Sequence, residues 1–252
     1  MGEAILAPLL SSNTFSPDRV VVSHPRPDRR EYIKAKYHVT VVPENGLVSG
    51  CDVLLLGIKP QQFQEIKQSL AVIKPNLVLS IMAGVSLQSL SEVFVDLPIV
   101  RAMPNTPAQI SAGMTAFSSN SLVQAEQRHQ VIGILQAVGE VIEVPEKWMN
   151  VVTGLSGSGP GYIAVLIEAL IDGAVLMGLP RSVAQTMAVQ TVLGSAQYLK
   201  STGIEPSLLK NKVTSPGGTT IAGIHALEYH GGRIALMEAV KAATLRSGEL
   251  DR

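Results

Sequence analysis

Val53-Leu54-Leu55-Leu56-Gly57-Ile58-Lys59-Pro60 is an apolar run that ends in a glycine, a lysine and a proline. A short apolar run closed by turn residues reads as a strand covered on both faces, the kind found in parallel sheets. Similar runs flank it: Arg19–Ser23 and Val39–Val42 before it, Leu77–Met82 and Ile99–Met103 after it. Between them lie helix-like segments, Gln61–Ile73 and Leu87–Val93, with a further helix predicted at Glu3–Leu10 ahead of the first strand. Such alternation predicts βαβ units forming a parallel sheet with helices on both faces. Met114–Phe117 and Val141–Val144 are the expected closing strands, around a helix near Val123–Val138.

The character changes after Pro145. From Glu146 to Arg252 the pattern is helical, with expected breaks at Gly154–Gly161, Gly178–Pro180, Gly203–Pro206, Ser215–Gly218 and Gly231–Gly232. The run Tyr162–Met177 is apolar nearly all round, and such a helix is normally covered on all sides. A domain of about a hundred residues cannot supply that cover alone, so a second subunit is expected. The sequence therefore divides into an α/β, Rossmann-like domain at residues 1–145 and an all-α dimerisation domain at 146–252.

Bulk properties narrow the function classes. The chain has 252 residues, 46% hydrophobic and only 16% charged, with 20 basic and 20 acidic side chains. Net charge zero removes the global field that recruits nucleic acid. One cysteine, Cys51, leaves no intramolecular disulfide and fits a reducing compartment. The five histidines show no metal-ligand spacing, so no metal is expected. Met1-Gly2-Glu3-Ala4 lacks the basic start of a signal peptide, and Glu168 and Asp172 argue against a membrane span after Gly161. A cytoplasmic location without membrane attachment is expected.

In α/β sheets ligands sit at the carboxyl ends of the strands. The first exit reads Ser23-His24-Pro25-Arg26-Pro27-Asp28-Arg29-Arg30. No acid directly follows the strand; Ser23 and Arg26 are there instead, which favours NADP(H) over NAD(H). Gly57-Ile58-Lys59-Pro60 and Ala83-Gly84 are the next exits, both also compatible with ordinary strand-to-helix turns. In Arg101–Pro107 two prolines bracket Asn105 and Thr106 in a rigid polar loop. Gly154–Pro160 resembles a phosphate loop without its lysine; close helix packing is the better reading. Val213-Thr214-Ser215-Pro216-Gly217-Gly218-Thr219-Thr220-Ile221-Ala222-Gly223 sets two glycines and four hydroxyls before a helix-like run. Backbone N–H groups at such a helix start suit a carboxylate or phosphate. The alternative is a tight turn with Thr219 or Thr220 as N-cap.

Taken together, Ile58-Lys59-Pro60, Arg101–Pro107, Val152–Tyr162, Met177–Arg181 and above all Lys210–Ile221 resemble the pyrroline-5-carboxylate reductase family. The resemblance runs through nearly the whole chain in the family's order. It implies an N-terminal Rossmann domain, a helical domain that interlocks two subunits and often builds rings, and NAD(P)H-dependent reduction of 1-pyrroline-5-carboxylate to L-proline. It implies a substrate cradle of Val213, Gly217, Gly218, Thr219 and Thr220, with Ser215 in the same loop, Lys212 near both ligands and Thr220 closest to the ring as the catalytic residue. Cofactor contacts are implied at Ser23, Asn45, Ile58, Lys59, Pro60, Met82, Ala83 and Gly84, with Gly2, Arg26 and Asn105 as further candidates.

Family members begin with a strand and a G-x-G-x-x-G turn. Here Gly2 falls on the last glycine of that fingerprint, so the first strand and the pyrophosphate turn have no counterpart in this sequence. The expected consequence is unpaired edges on the strands that would flank it. Three readings stand beside one another: a reductase whose reading frame starts upstream, a paralogue kept only as a dimerising partner, and another two-domain NADP-dependent dehydrogenase. The last would want a lysine or histidine in the Tyr162–Met177 helix, which has neither.

Overall fold

The computed structural model describes residues 1–12, 14–48 and 50–250. The chain forms two compact units, one made of Met1–Ser158 together with the chain from Ala242, the other of Gly159–Lys241.

The first unit opens with helix α1 (Gly2–Ser11) and strand β1 (Val21–Ser23), followed by α2 (Pro27–Tyr37) and β2 (Thr40–Val42). Then come β3 (Val53–Leu56), α3 (Pro60–Ala71), β4 (Leu77–Ser80), α4 (Leu87–Ser91) and β5 (Ile99–Met103). It closes with β6 (Gly113–Ser119), α5 (Ala125–Gln136), β7 (Gly139–Glu143) and α6 (Met149–Val152). Strands β3, β4 and β5 are parallel, with Leu56 opposite Ser80 and Ser80 opposite Arg101.

Successive residues of β4 point to opposite faces, so both faces carry a core. Leu77, Leu79 and Ile81 pack with Ile5 and Leu9 of α1 and Val131, Ile134 and Leu135 of α5. Val78 and Met82 pack with Phe63 and Leu70 of α3, Leu90 of α4 and Phe94. Burying each of these side chains contributes about 1.5–3 kcal/mol before ordering costs.

The sheet departs from the expected all-parallel arrangement. β6 runs antiparallel to β5, with Met103 opposite Ala116, and β7 is parallel to β6. Residues 104–112 are too few for the crossover of a dozen or more residues that a parallel return needs. They form a 3₁₀ turn at Thr106–Ile110, and Ser111 takes the left-handed conformation (φ 56°) to leave it.

β1 and β2 pair in parallel as a separate two-stranded sheet, while β3 to β7 form a five-stranded one. Among the described residues, neither β1 nor β3 has a second ladder. In the doubly wound order these strands flank the first strand of the fold, so the expected unpaired edges are present. Helix α1 is nevertheless held in place: its Gly2 lies against Gly57 at the exit of β3, and Glu3 binds Arg29, Tyr32, Lys36 and Tyr37 of α2.

Gly154–Gly161 does not break the helical run as expected. A π turn spans Thr153–Gly157, with the Ser158 N–H donating to the Thr153 carbonyl at 2.8 Å. Gly157 packs against Met103 there, and a Cβ would stand 2.6 Å from Met103 Cε, so the methionine would have to shift. That observation agrees with the packing reading of this glycine-rich stretch.

The second unit is built from α7 (Gly159–Leu176), α8 (Arg181–Thr202), α9 (Pro206–Lys212), α10 (Thr219–Tyr229) and the first part of α11 (Gly232–Glu249). Helices α7 and α8 form a hairpin turned by Gly178 (φ 97°), with Ile171, Ala184 and Ala188 buried between them. The helical run 146–176 is long and apolar enough to cross a membrane by length and composition alone. Its Asp172 pairs with Arg181 at 2.7 Å.

Candidate functional site

The exits of the strands in the first unit carry the candidate cofactor residues. The Ser23 hydroxyl, at the end of β1, donates to Asn45 Oδ1 at 2.9 Å, and Asn45 Nδ2 reaches Ser69 Oγ of α3 at 3.2 Å. The sequence thus brings Ser23 and Asn45 together, as the reading of both as one site requires. Lys59 is the N-cap of α3, with its side chain exposed and Pro60 as the first helical residue.

Helix α1 begins at Gly2 without a side-chain cap, which leaves its first N–H groups open to an anion. A Cβ on Gly57 would lie 3.2 Å from Gly2 Cα, so the two backbones approach closely at this junction and the Gly57 side is the tight one. These features fit a dinucleotide: open amides where phosphates are held, and a hydroxyl and an amide at the neighbouring exit.

Arg26 is the N-cap of α2, and Asp28, Arg29 and Arg30 lie in its first turn rather than in a loop. Proline at the first helical position, Pro27, starts the helix earlier than charge content suggests. Arg30 donates to the carbonyl oxygens of His24 and Pro25 at 3.1 and 2.7 Å. Partial burial, then the charges of Arg29 and Arg26, push the His24 imidazole below its ordinary value.

Met82, Ala83 and Gly84 follow β4, and Gly84 takes φ +69°. A Cβ on Gly84 would stand 2.8 Å from Leu250 Cβ. The end of the chain is therefore packed on this turn, anchored by Ser247 Oγ and Asn150 Oδ1 at 3.0 Å. Asn105 is buried, its Oδ1 accepting from the Met114 N–H at 2.9 Å and its Nδ2 donating to the Ser156 carbonyl at 3.1 Å. Both ends of that amide tie the β5 exit to β6 and to the π turn.

Sequence reasoning missed two elements here. Glu146 Oε1 accepts from the Leu87 N–H at 2.6 Å and from the buried Arg101 at 3.3 Å, fixing the segment after Gly84. Leu250 and Gly84 are 166 positions apart, and no local pattern announces such a contact.

The candidate substrate loop lies in the second unit, between α9 and α10. Lys212 ends α9, Val213 is exposed, and Thr214 Oγ1 caps the Lys210 carbonyl at 2.6 Å. Gly217 takes φ +69°, a region that disfavours any other residue. The Gly218 N–H donates to the Ser215 carbonyl at 3.0 Å, and Ser215 Oγ occupies the space a Cβ on Gly218 would need. Gly218, not Thr219 or Thr220, is the N-cap of α10, and it makes no side-chain cap bond. Threonines 219 and 220 are consequently the first two helical residues, their N–H groups free of i−4 partners. Thr220 is half-buried, and its hydroxyl makes no hydrogen bond to another described residue. Among the described residues no cluster of His, Cys, Asp and Glu could hold a metal ion.

Comparison with known proteins bears on both units. Residues 146–250 match the family model described as pyrroline-5-carboxylate reductase dimerisation, and residues 1–84 match one described as NADP oxidoreductase, coenzyme F420-dependent. A pyrroline-5-carboxylate reductase of Synechocystis is 51% identical over 255 residues, covering all of this chain and 95% of the relative. One from Escherichia coli is 38% identical, with the same coverage. The solved structure of a pyrroline-5-carboxylate reductase from Coxiella burnetii superposes with a TM-score of 0.90 at 34% identity, over all of this chain and 95% of that one. A Plasmodium falciparum pyrroline carboxylate reductase, solved with NADP bound, gives 0.87 at 29%, with equal coverage. A Rossmann-like oxidoreductase unit followed by a helical unit, matched along its whole length, places this chain in the pyrroline-5-carboxylate reductase family.

Proposed function

We propose that this chain reduces 1-pyrroline-5-carboxylate to L-proline, the last step of proline synthesis, with NADPH as the preferred donor and NADH as a second one. It acts in the cytoplasm as a homodimer joined through residues 146–252, able to assemble into a ring, with residues 1–145 as the cofactor half. The observation that carries the reading is the loop Ser215–Thr220: a glycine in the left-handed region, Gly217, and a second, Gly218, packed against Ser215 Oγ, set directly before an uncapped helix.

The bound cofactor supplies a hydride to the C=N carbon. Ser23, Arg26, Asn45, Gly2, Ile58, Lys59, Pro60, Met82, Ala83 and Gly84 would hold it, and Asn105 would shape the site through its bonds to Met114 and Ser156. At the substrate, N–H groups opening α10 bind the carboxylate with the hydroxyls of Ser215 and Thr219. Val213, Gly217 and Gly218 shape the cradle, and Lys212 adds a positive charge at its edge. Thr220 Oγ1 hydrogen-bonds the ring nitrogen. A protonated cyclic imine is already electrophilic, so positioning does most of the work and solvent can supply the proton.

Thr220→Ala is the test. Turnover should fall on the order of 100-fold, with the melting temperature within about 2 °C of the parent. Turnover within twofold of the parent would sink the assignment. The open edges of β1 and β3 favour one rival, a dimerising partner without activity. Titration with NADPH decides between them, since that rival binds no cofactor.

A further inference from the structure

Three arginines stand at the β1 exit, and the structure distinguishes them. Arg29 is held by Glu3, which is gripped in turn by Tyr37 and Lys36, and the Arg29–Glu3 pair is only about one-third exposed. Arg30 is tied to two backbone carbonyls. Arg26 alone has an exchangeable partner: its Nε donates to Asp28 Oδ1 at 3.2 Å and its Nη2 to Oδ2 at 2.5 Å. Both side chains are open to solvent, 68% and 64% exposed. The Ser23 hydroxyl hydrogen is already given to Asn45.

A guanidinium fork that holds a carboxylate with two bonds is shaped equally well for a phosphate. We infer that Asp28 is a specificity-determining residue: it occupies the fork of Arg26 that a ribose 2′-phosphate needs, and offers a carboxylate to a ribose 2′-hydroxyl when no phosphate is present. The Arg26–Asp28 pair is thus a two-way reader of the ribose, and Asp28 holds down the preference for the phosphorylated cofactor. An ion pair this open to solvent is weakly held, so displacing Asp28 is feasible but not free. Once displaced, the carboxylate remains close to a phosphate of the same sign, a repulsion that salt screens. This inference rests on the reading of Ser23–Arg30 as the ribose end of the cofactor site.

Equilibrium binding of NADPH and NADH, followed by cofactor fluorescence at low and high salt, tests it without reference to turnover. Asp28→Asn should tighten NADPH roughly three- to tenfold at low salt, with a smaller gain at high salt. NADH should be unchanged or weaker. Arg26→Ala should remove most of the NADPH advantage. Because Asp28 lies in the first turn of α2, Asp28→Ser serves as a second variant that still suits a helix start. If both Asp28 variants leave the NADPH-to-NADH ratio within twofold while Arg26→Ala lowers it, the inference is wrong and the cofactor reading stands. If Arg26→Ala also leaves the ratio unchanged, or if the parent binds neither cofactor, the reading of this exit fails and the inference falls with it.

Discussion

The nucleotide unit and the helical unit contain comparably apolar helices and strands but dispose them in opposite ways. In the first, Phe63, Phe94, Phe117, Leu77, Leu79 and Leu90 are all fully buried between the sheet and its helices. In the second, Ile171, Ala184 and Ala188 are the buried apolar residues among those described, while Leu176 and Met177 are each 85% exposed. Val165, Leu170, Leu227, Ile234 and Met237 are exposed as well. A sheet with helices on both faces closes its own core. Helices that are apolar on two sides cannot, and a surface of that kind marks association. The match to a dimerisation family supplies the cover: another protein chain.

The comparison has a weak point on the nucleotide side, since its sheet is split between β1 and β3. Among the described residues β1 pairs only with β2 and β3 only with β4.

The harshest test attacks the helical face. Val165 and Leu176 are eleven residues apart on α7, just over three turns, and so share a side. Val165→Asp with Leu176→Asp would bury two charges in any dimer formed there, weakening it by well over about 100-fold. Light scattering should then report monomer at concentrations where the parent is dimeric; an unchanged mass would show that this face is not the interface.

A smaller effect is expected from the sheet. Fusing a five-residue apolar strand and a glycine turn ahead of Met1 should raise the melting temperature on the order of 5 °C and slow amide exchange in β1 and β3. If exchange at those two strands is unaltered, the gap does not accept a strand.

The mildest change concerns Glu3. The Tyr37 hydroxyl, then Lys36, Arg29 and Tyr32, hold its carboxyl down to about 2 from the ordinary 4.5. A depressed carboxylate stabilises the fold above its unfolded value and loses that contribution as pH falls. Stability should therefore decline from about pH 4.5 towards 2, and Glu3→Gln should flatten that slope. An acid melting profile identical to the parent's would mean that α1 is not held through this carboxylate.

Much of this was legible in the sequence because it depends on neighbours in the chain. The strands at Val53, Leu77 and Ile99, the closing pair around α5 and the all-helical second part follow from apolar runs and their punctuation. The loop before α10 was legible too, since Gly217 and Gly218 answer to local backbone geometry. Other features depend on residues far apart. The π turn where a break was expected packs Gly157 against Met103 of β5, a residue more than fifty positions away. Asn105 reads as a candidate ligand residue in sequence, yet its amide is committed to Met114 and Ser156.

By itself the sequence determined the order of the elements and the place of the glycine-containing loop before α10, because hydrophobic period and turn chemistry are properties of short segments, while its resemblance pointed to the family. Only the tertiary structure decided which arginine at the β1 exit is exchangeable and that Leu250 rests on Gly84. Those outcomes depend on which side chains meet across the fold, where a hydrogen bond formed with one partner is denied to every other.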